Sequence, residues 1–203
     1  MQKRQIVVVS AGLSQPSSTR MLADALATAS NQALTADGVE TEFKTVELRE
    51  YAHAITDMLL TQFPSTELRD VLDSVKSADG LVLVTPIFSA GPSGLFKMFL
   101  DLFTSEELEN KPVLLGATGG TARHTMVVES AIRPVLTYLR ADVATTSVFA
   151  ATDDWSGTDE ANPLPSRINR AGKEFARIVT GYTNPGAFDE FDSAPSFVDL
   201  LQG

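Results

Sequence analysis

Residues Ile6-Val7-Val8-Val9 form an unbroken run of β-branched side chains, and uninterrupted apolar runs return at Leu81-Val82-Leu83-Val84 and Val113-Leu114-Leu115. Successive side chains of a strand point to opposite faces, so a strand with no polar member needs cover on both sides. Interior strands of a parallel sheet sandwiched between helices have that cover. The first run leads straight into a polar loop of small residues, and Met21-Leu22-Ala23-Asp24-Ala25-Leu26 then begins a helix.

The rest of the chain repeats this alternation. The pattern predicts a helix over 18–34, a turn at Asp37-Gly38 and a half-exposed strand over 39–48. A short helix over 51–60 ends at Phe63-Pro64, and Ser65 or Thr66 caps another that runs to residue 77. Strand three covers 81–84, a loop covers 85–92, and a helix covers 93–104. Strand four covers 112–116, a helix with Pro134 as a bend or joint covers 125–139, strand five covers 143–150, and a last helix covers 160–180. Five alternating pairs specify an α/β fold, a three-layer doubly wound five-stranded parallel sheet. The economical order is the flavodoxin-like 2-1-3-4-5. Residues 1–180 read as one domain and 181–203 as a tail, either outside the core or docked on a partner subunit.

Composition removes several kinds of chemistry. There is no cysteine, hence no disulfide or thiolate catalysis, and His53 and His124 are too few for a metal site. A net charge of −10 argues against nucleic acid and anionic membranes. No apolar run approaches the roughly 20 residues of a membrane span. The start of the chain lacks a signal-peptide pattern, so a cytoplasmic protein is expected.

In an open parallel sheet, ligands bind at the carboxyl ends of the strands where the strand order reverses, which brings together the loops after strands one, three and four. The first, from Gly12 and Leu13 to Thr19, carries Ser14, Ser17, Ser18 and Thr19 just before a helix. Free amides and the helix dipole favour an anion there. One hydroxyl, Ser17 or Ser18, is needed to cap the helix; the others are in surplus. Without Gly-Lys-Ser/Thr or G-x-G-x-x-G, the loop suits a terminal monophosphate rather than a triphosphate or dinucleotide. On this reading Ser17 and Thr19 are replaceable with little loss of folding stability. The second loop, Thr85-Pro86-Ile87-Phe88-Ser89, is stiffened by proline and offers an aromatic face, although Phe88 could equally pack inward. The third, Thr118-Gly119-Gly120, permits close approach of a flat ring to the backbone.

Gly12-Leu13-Ser14-Gln15-Pro16-Ser17-Ser18-Thr19-Arg20, Thr85-Pro86-Ile87-Phe88 with Ser93-Gly94-Leu95-Phe96-Lys97-Met98-Phe99-Leu100-Asp101, and Ala117-Thr118-Gly119-Gly120 together resemble the NAD(P)H-dependent FMN reductases. The branch that partners luciferase-like monooxygenases is the nearest in pattern. The resemblance implies FMN as ligand, its phosphate on Gly12, Ser14, Ser17, Ser18 and Thr19. Thr85 to Ser89 would contact the ring and ribityl chain, and Thr118 to Gly120 the pyrimidine side. It also implies NAD(P)H as reductant and a homodimer or tetramer. The family pattern has an arginine where Ser14 stands and a tyrosine where Phe88 stands. The phosphate would then rest mainly on neutral donors, with Arg20 or a subunit neighbour adding charge, and FMN would behave as a substrate more than as a fixed cofactor.

No nucleophile or acid–base pair stands out, as expected where the bound ligands carry the chemistry. Arg123 and His124 sit at the mouth of the edge and are candidates for the dinucleotide phosphates. His53 reads as a packing residue, Lys97 and Asp101 as a surface pair or a dimer contact, and Trp155 as core or as a wall beside a partner's flavin. Two rival functions remain: a reductase of quinones, azo compounds or metal oxyanions that retains FMN, and a flavodoxin-like electron carrier.

Overall fold

The computed structural model describes residues 3–155 and 163–183. Seven strands form its sheet: β1 (Arg4–Ser10), β2 (Thr41–Glu47), β3 (Gly80–Phe88), β4 (Gly91–Pro92), β5 (Pro112–Gly119), β6 (Asp142–Val143) and β7 (Val148–Ala151). The path β2-β1-β3-β5-β6 is parallel throughout, and β7 lies beside β5 above β6. The expected order 2-1-3-4-5 is therefore present, with two corrections to the count. Strand five is interrupted between β6 and β7. The segment 85–92, expected as a loop, instead extends β3 to Phe88 and returns as antiparallel β4, pairing Phe88 with Gly91 and Ile87 with Pro92.

The unbroken apolar runs divide between the two faces residue by residue. Val7, Val9, Leu81, Leu83, Val113 and Leu115 join one core; Ile6, Val8, Val82, Val84 and Leu114 join the other. Helices α1 (Ser18–Ala36) and α6 (Leu164–Gly181) cover the second face. The first is covered by α2 (Ala52–Thr61), α3 (Thr66–Ser77), α4 (Gly94–Leu100) and α5 (Arg133–Tyr138). The half-exposed β2 is an edge strand and needs cover on fewer of its residues. Among the described residues no helix is long and apolar enough to cross a membrane. Of the expected tail, all beyond Thr183 lies outside the described residues.

The single helix predicted over 125–139 is two pieces, a π-helical turn at Val128–Ile132 and α5, and a 3₁₀ turn at Ala122–His124 precedes them. Pro134 accounts for the joint. It has no N–H for the carbonyl of Ser130, and its ring presses on that group in a regular helix. The Arg133 N–H reaches back to Val128 O instead, which closes the wider turn. The Arg133 guanidinium then ties this joint to the β6–β7 connection through Ala144 O at 3.1 Å and Thr145 O at 3.2 Å.

At the opposite end of the sheet from the three loops, Lys111 is 2% exposed. Its Nζ donates to Lys76 O and Ala78 O at 2.7 Å each, satisfying carbonyls at the end of α3 that have no partner within the helix. Burial pushes its ammonium from the ordinary 10.5 down to about 8, against the pull of Asp79. A pKa depressed by folding favours the folded state above the unfolded-chain value, and the contribution is lost as pH falls to the folded value. The stability of the wild-type chain relative to Lys111→Met should therefore rise by about 3 kcal/mol between pH 8 and pH 10.5. Denaturant unfolding across that window reads it, and a constant difference contradicts the assignment.

Candidate active site

Strand register aligns the carboxyl ends. Ser10 pairs with Val84, Thr85 with Ala117, Pro86 with Thr118, and Gly119 with Ala151. The chain leaving β1, β3, β5 and β7 consequently meets along one edge, around a cleft of about 350 Å³. That volume falls at the small-ligand end of the ordinary range of roughly 300–1,000 Å³.

From the first loop, Leu13, Ser14, Ser17, Ser18 and Thr19 line the cleft. Ser17 is the N-cap of α1: its Oγ accepts from Arg20 N–H at 3.2 Å. Ser14 Oγ donates to Pro16 O at 3.1 Å. Thr19, 2% exposed, shares a 2.8 Å hydrogen bond with Thr118 Oγ1 across the cleft floor. Ser18 is exposed, and among the described residues its hydroxyl has no partner. The first intrahelical bond is made by Met21 N–H to Ser17 O at 3.1 Å, so the amides of Ser18 and Thr19 precede it and are available as donors. Gly12 does not line the cleft but closes the loop behind it. A methyl group there would stand 2.1 Å from Ser17 Oγ.

From the second segment, Pro86, Ile87 and Phe88 line the cleft, with Phe88 half exposed. Thr85 lies beneath, fully buried: its Oγ1 donates to Pro86 O at 3.0 Å and accepts from Ser93 N–H at 3.2 Å, which anchors the start of α4. Ser89 is outside the lining, at the tip of the β3–β4 hairpin. Ser89 and Ala90 have φ of 50° and 63°, the left-handed pair a tight hairpin turn demands, although neither is glycine. That conformation costs about 1–2 kcal/mol for each such residue. From the third loop, Thr118, Gly119 and Gly120 line the opposite wall. Gly119 is required by the ring of Phe149, which a methyl group would approach to 2.9 Å.

Thr152 completes the lining and was not identified from sequence. It follows Ala151, the partner of Gly119, so only the register places it there. Arg123 and His124 lie in the 3₁₀ turn just past Gly120, beside the lining rather than in it; Arg123 is exposed and His124 half-buried. Arg20 is directed away from the loop hydroxyls, into Asp24 at 2.8 Å and Glu47 at 2.7 Å. Its expected role as a phosphate charge is thereby corrected. Trp155 lies in a groove between α1 and α6 and packs on the core there. His53 is exposed on α2 rather than packed, and Lys97 pairs with Asp101 on the surface of α4.

Among the described residues, every one that lines the cleft is uncharged. Hydroxyls and amides at one end suit an anionic tail, while the apolar strip from Pro86 to Phe88 facing the glycine backbone suits a flat ring. The cradle behind Gly12 has no space for an added methyl group, so the loop is shaped as well as polar.

A sequence model of the family described as NADPH-dependent FMN reductase matches residues 4–156. The chain is 33% identical to an FMN reductase (NADPH) of Pseudomonas aeruginosa over 178 residues, 87% of this chain and 93% of that one. An oxidoreductase from Corynebacterium diphtheriae has a TM-score of 0.86 and 39% identity, covering 90% of this chain and all of its own (100%). The apo form of an NADH:FMN oxidoreductase, EmoB, has a TM-score of 0.76 and 26% identity, covering 91% of this chain and 93% of its own.

The hydrogen bonds run against the expectation that Ser17 and Thr19 are replaceable with little loss of folding stability. Their joint replacement by Ala removes a helix cap, about 1 kcal/mol, and strands the buried Thr118 hydroxyl, about 1–3 kcal/mol. Denaturant unfolding should show a loss of about 2–4 kcal/mol for that pair, and less than about 0.5 kcal/mol for Ser14→Ala with Ser18→Ala. Equal losses for the two pairs contradict this division.

Proposed function

The chain belongs to the NADPH-dependent FMN reductase family, and from that premise we propose that it supplies freely diffusing reduced flavin to a separate luciferase-like monooxygenase. It is an NAD(P)H:FMN oxidoreductase of flavodoxin-like fold. One observation carries the proposal: among the described residues, none that lines the cleft is charged. A phosphate that meets only hydroxyls and amides makes charge-assisted hydrogen bonds but gains neither the opposite charge nor the two-pronged fork of a guanidinium. Arg20, the cation closest in sequence to the loop hydroxyls, is held by Asp24 and Glu47. FMN is then exchangeable, as a carrier of electrons to a second protein has to be.

The residues divide the work. Ser18 and the amides of Ser18 and Thr19 hold the phosphate, joined by Ser14 once its hydroxyl turns away from Pro16 O. Ser17 and the Thr19–Thr118 bond fix the loop that presents these donors. The Pro86–Phe88 strip and the Gly119–Gly120 backbone position the ring; Gly12, Thr85 and Ser89 shape the loops around it. When bound, FMN supplies the hydride acceptor for the reduced nicotinamide, so the protein needs no acid or base for that transfer. Backbone amides of the Thr118–Gly120 loop would stabilise negative charge on the ring. Arg123 and His124 flank the side from which the dinucleotide approaches. The reading places the enzyme in the cytoplasm, where reduced nicotinamide dinucleotides are found. Self-association is assigned to the α4–α5 face, where Leu100, Phe103, Pro134 and Val135 line an apolar groove beside the largely exposed Tyr138.

Purified protein should carry little flavin absorbance and should oxidise NAD(P)H at a rate that saturates with added FMN. Ser14→Ala with Ser18→Ala should raise the KM for FMN about tenfold at unchanged kcat. Flavin retained one per chain through gel filtration, or an unmoved KM, contradicts the proposal.

A further inference from the structure

We propose that Arg123 binds the 2′-phosphate of NADPH and thereby sets a preference for NADPH over NADH. This inference rests on the nicotinamide-dependent activity above. The two dinucleotides differ by one phosphate on the adenosine ribose, remote from the reacting ring. A cleft of hydroxyls, amides and apolar surface meets only what they share and treats them alike. A cation discriminates between them, and among the described residues the lining contains none.

The cations around the carboxyl edge are otherwise engaged. Arg20 is paired with Asp24 and Glu47, Arg49 with Glu47, and Lys97 with Asp101. Among the described residues Arg123 has no ion pair, and its side chain is exposed. No acidic residue occurs between Ala117 and Val128, so nothing on this loop repels an incoming phosphate. The next carboxylate, Glu129, is held by Arg133 and by Ser147. In a chain of net charge −10, a guanidinium with no carboxylate partner among the described residues is a local attractor for anions. Its planar fork matches a phosphate with two parallel hydrogen bonds.

Its mounting is firm. Thr125 directs both its N–H and its Oγ1 to Ala122 O, at 3.1 and 2.7 Å, and His124 N–H bonds Thr121 O at 3.4 Å. The Cβ of His124 lies 3.9 Å from the position a Cβ would take at Gly119, which seats the turn on the cleft wall. The Arg123 Cα is thus fixed three residues from the lining residue Gly120 while its guanidinium extends outward. The sequence, which lacks a dinucleotide fingerprint, gives no hint of coenzyme preference; the pattern of ion pairs does.

The test compares wild type, Arg123→Gln and Arg123→Lys in two measurements. Calorimetric titration with adenosine 2′,5′-bisphosphate and with AMP reads the phosphate without turnover. Steady-state kinetics with saturating FMN read kcat/KM for each dinucleotide. The expected result is a wild-type preference for NADPH and for the bisphosphate. Arg123→Gln should lower both by about 10- to 100-fold, leave NADH and AMP within about twofold, and be partly rescued by Arg123→Lys. Equal losses for NADPH and NADH would move Arg123 to the shared pyrophosphate and overturn the inference, as would unchanged values for every ligand. Oxidation of neither dinucleotide, with or without FMN, would instead defeat the functional reading itself, while bisphosphate binding would still report on Arg123.

Discussion

Cover on both faces of the sheet is the constraint from which the site follows. Because Ile6 to Val9, Leu81 to Val84 and Val113 to Leu115 are apolar on both sides, helices must pass over each face. Parallel neighbours then require every connection to return along the sheet, and all carboxyl ends finish on the same edge. Four separate chain segments are delivered to one cleft by this requirement. The Thr19–Thr118 hydrogen bond, spanning 99 residues of sequence, joins the start of α1 to the end of β5 beneath it.

The electrostatics are unusual for a site proposed to receive anions. Carboxylates outnumber cations, and the cations near the edge are spent on ion pairs that tie α1 to β2 and close individual helix turns. The lining is left with dipoles instead of charges. Dipoles orient a phosphate well but hold it less tightly than a guanidinium does. On the proposed function this arrangement favours exchange over retention, and it leaves Arg123 as the guanidinium beside the mouth that has no carboxylate partner among the described residues.

Much of this was legible in the sequence, for a physical reason. A strand buried on both faces leaves an unmistakable apolar run, and a loop with more hydroxyls than one cap requires stands out against its neighbours. What stayed hidden depends on register and on distant partners. Thr152 enters the cleft because Ala151 pairs with Gly119, which no local pattern encodes. That Ser17 and Thr19 are structural depends on Arg20 N–H and on Thr118. That Arg20 is unavailable to a phosphate depends on Glu47, from another element altogether. The extension of β3 into a hairpin was missed because Ser89 and Ala90 are not residues that advertise left-handed φ.

The most direct measurement is a crystal structure of the chain soaked with FMN. The account predicts the phosphate against Ser14, Ser18 and the first amides of α1, with the ring between the Pro86–Phe88 strip and the Gly119–Gly120 backbone. Flavin lodged elsewhere, such as the α4–α5 groove, or its phosphate paired with Arg20 after that side chain had left Asp24 and Glu47, would contradict it.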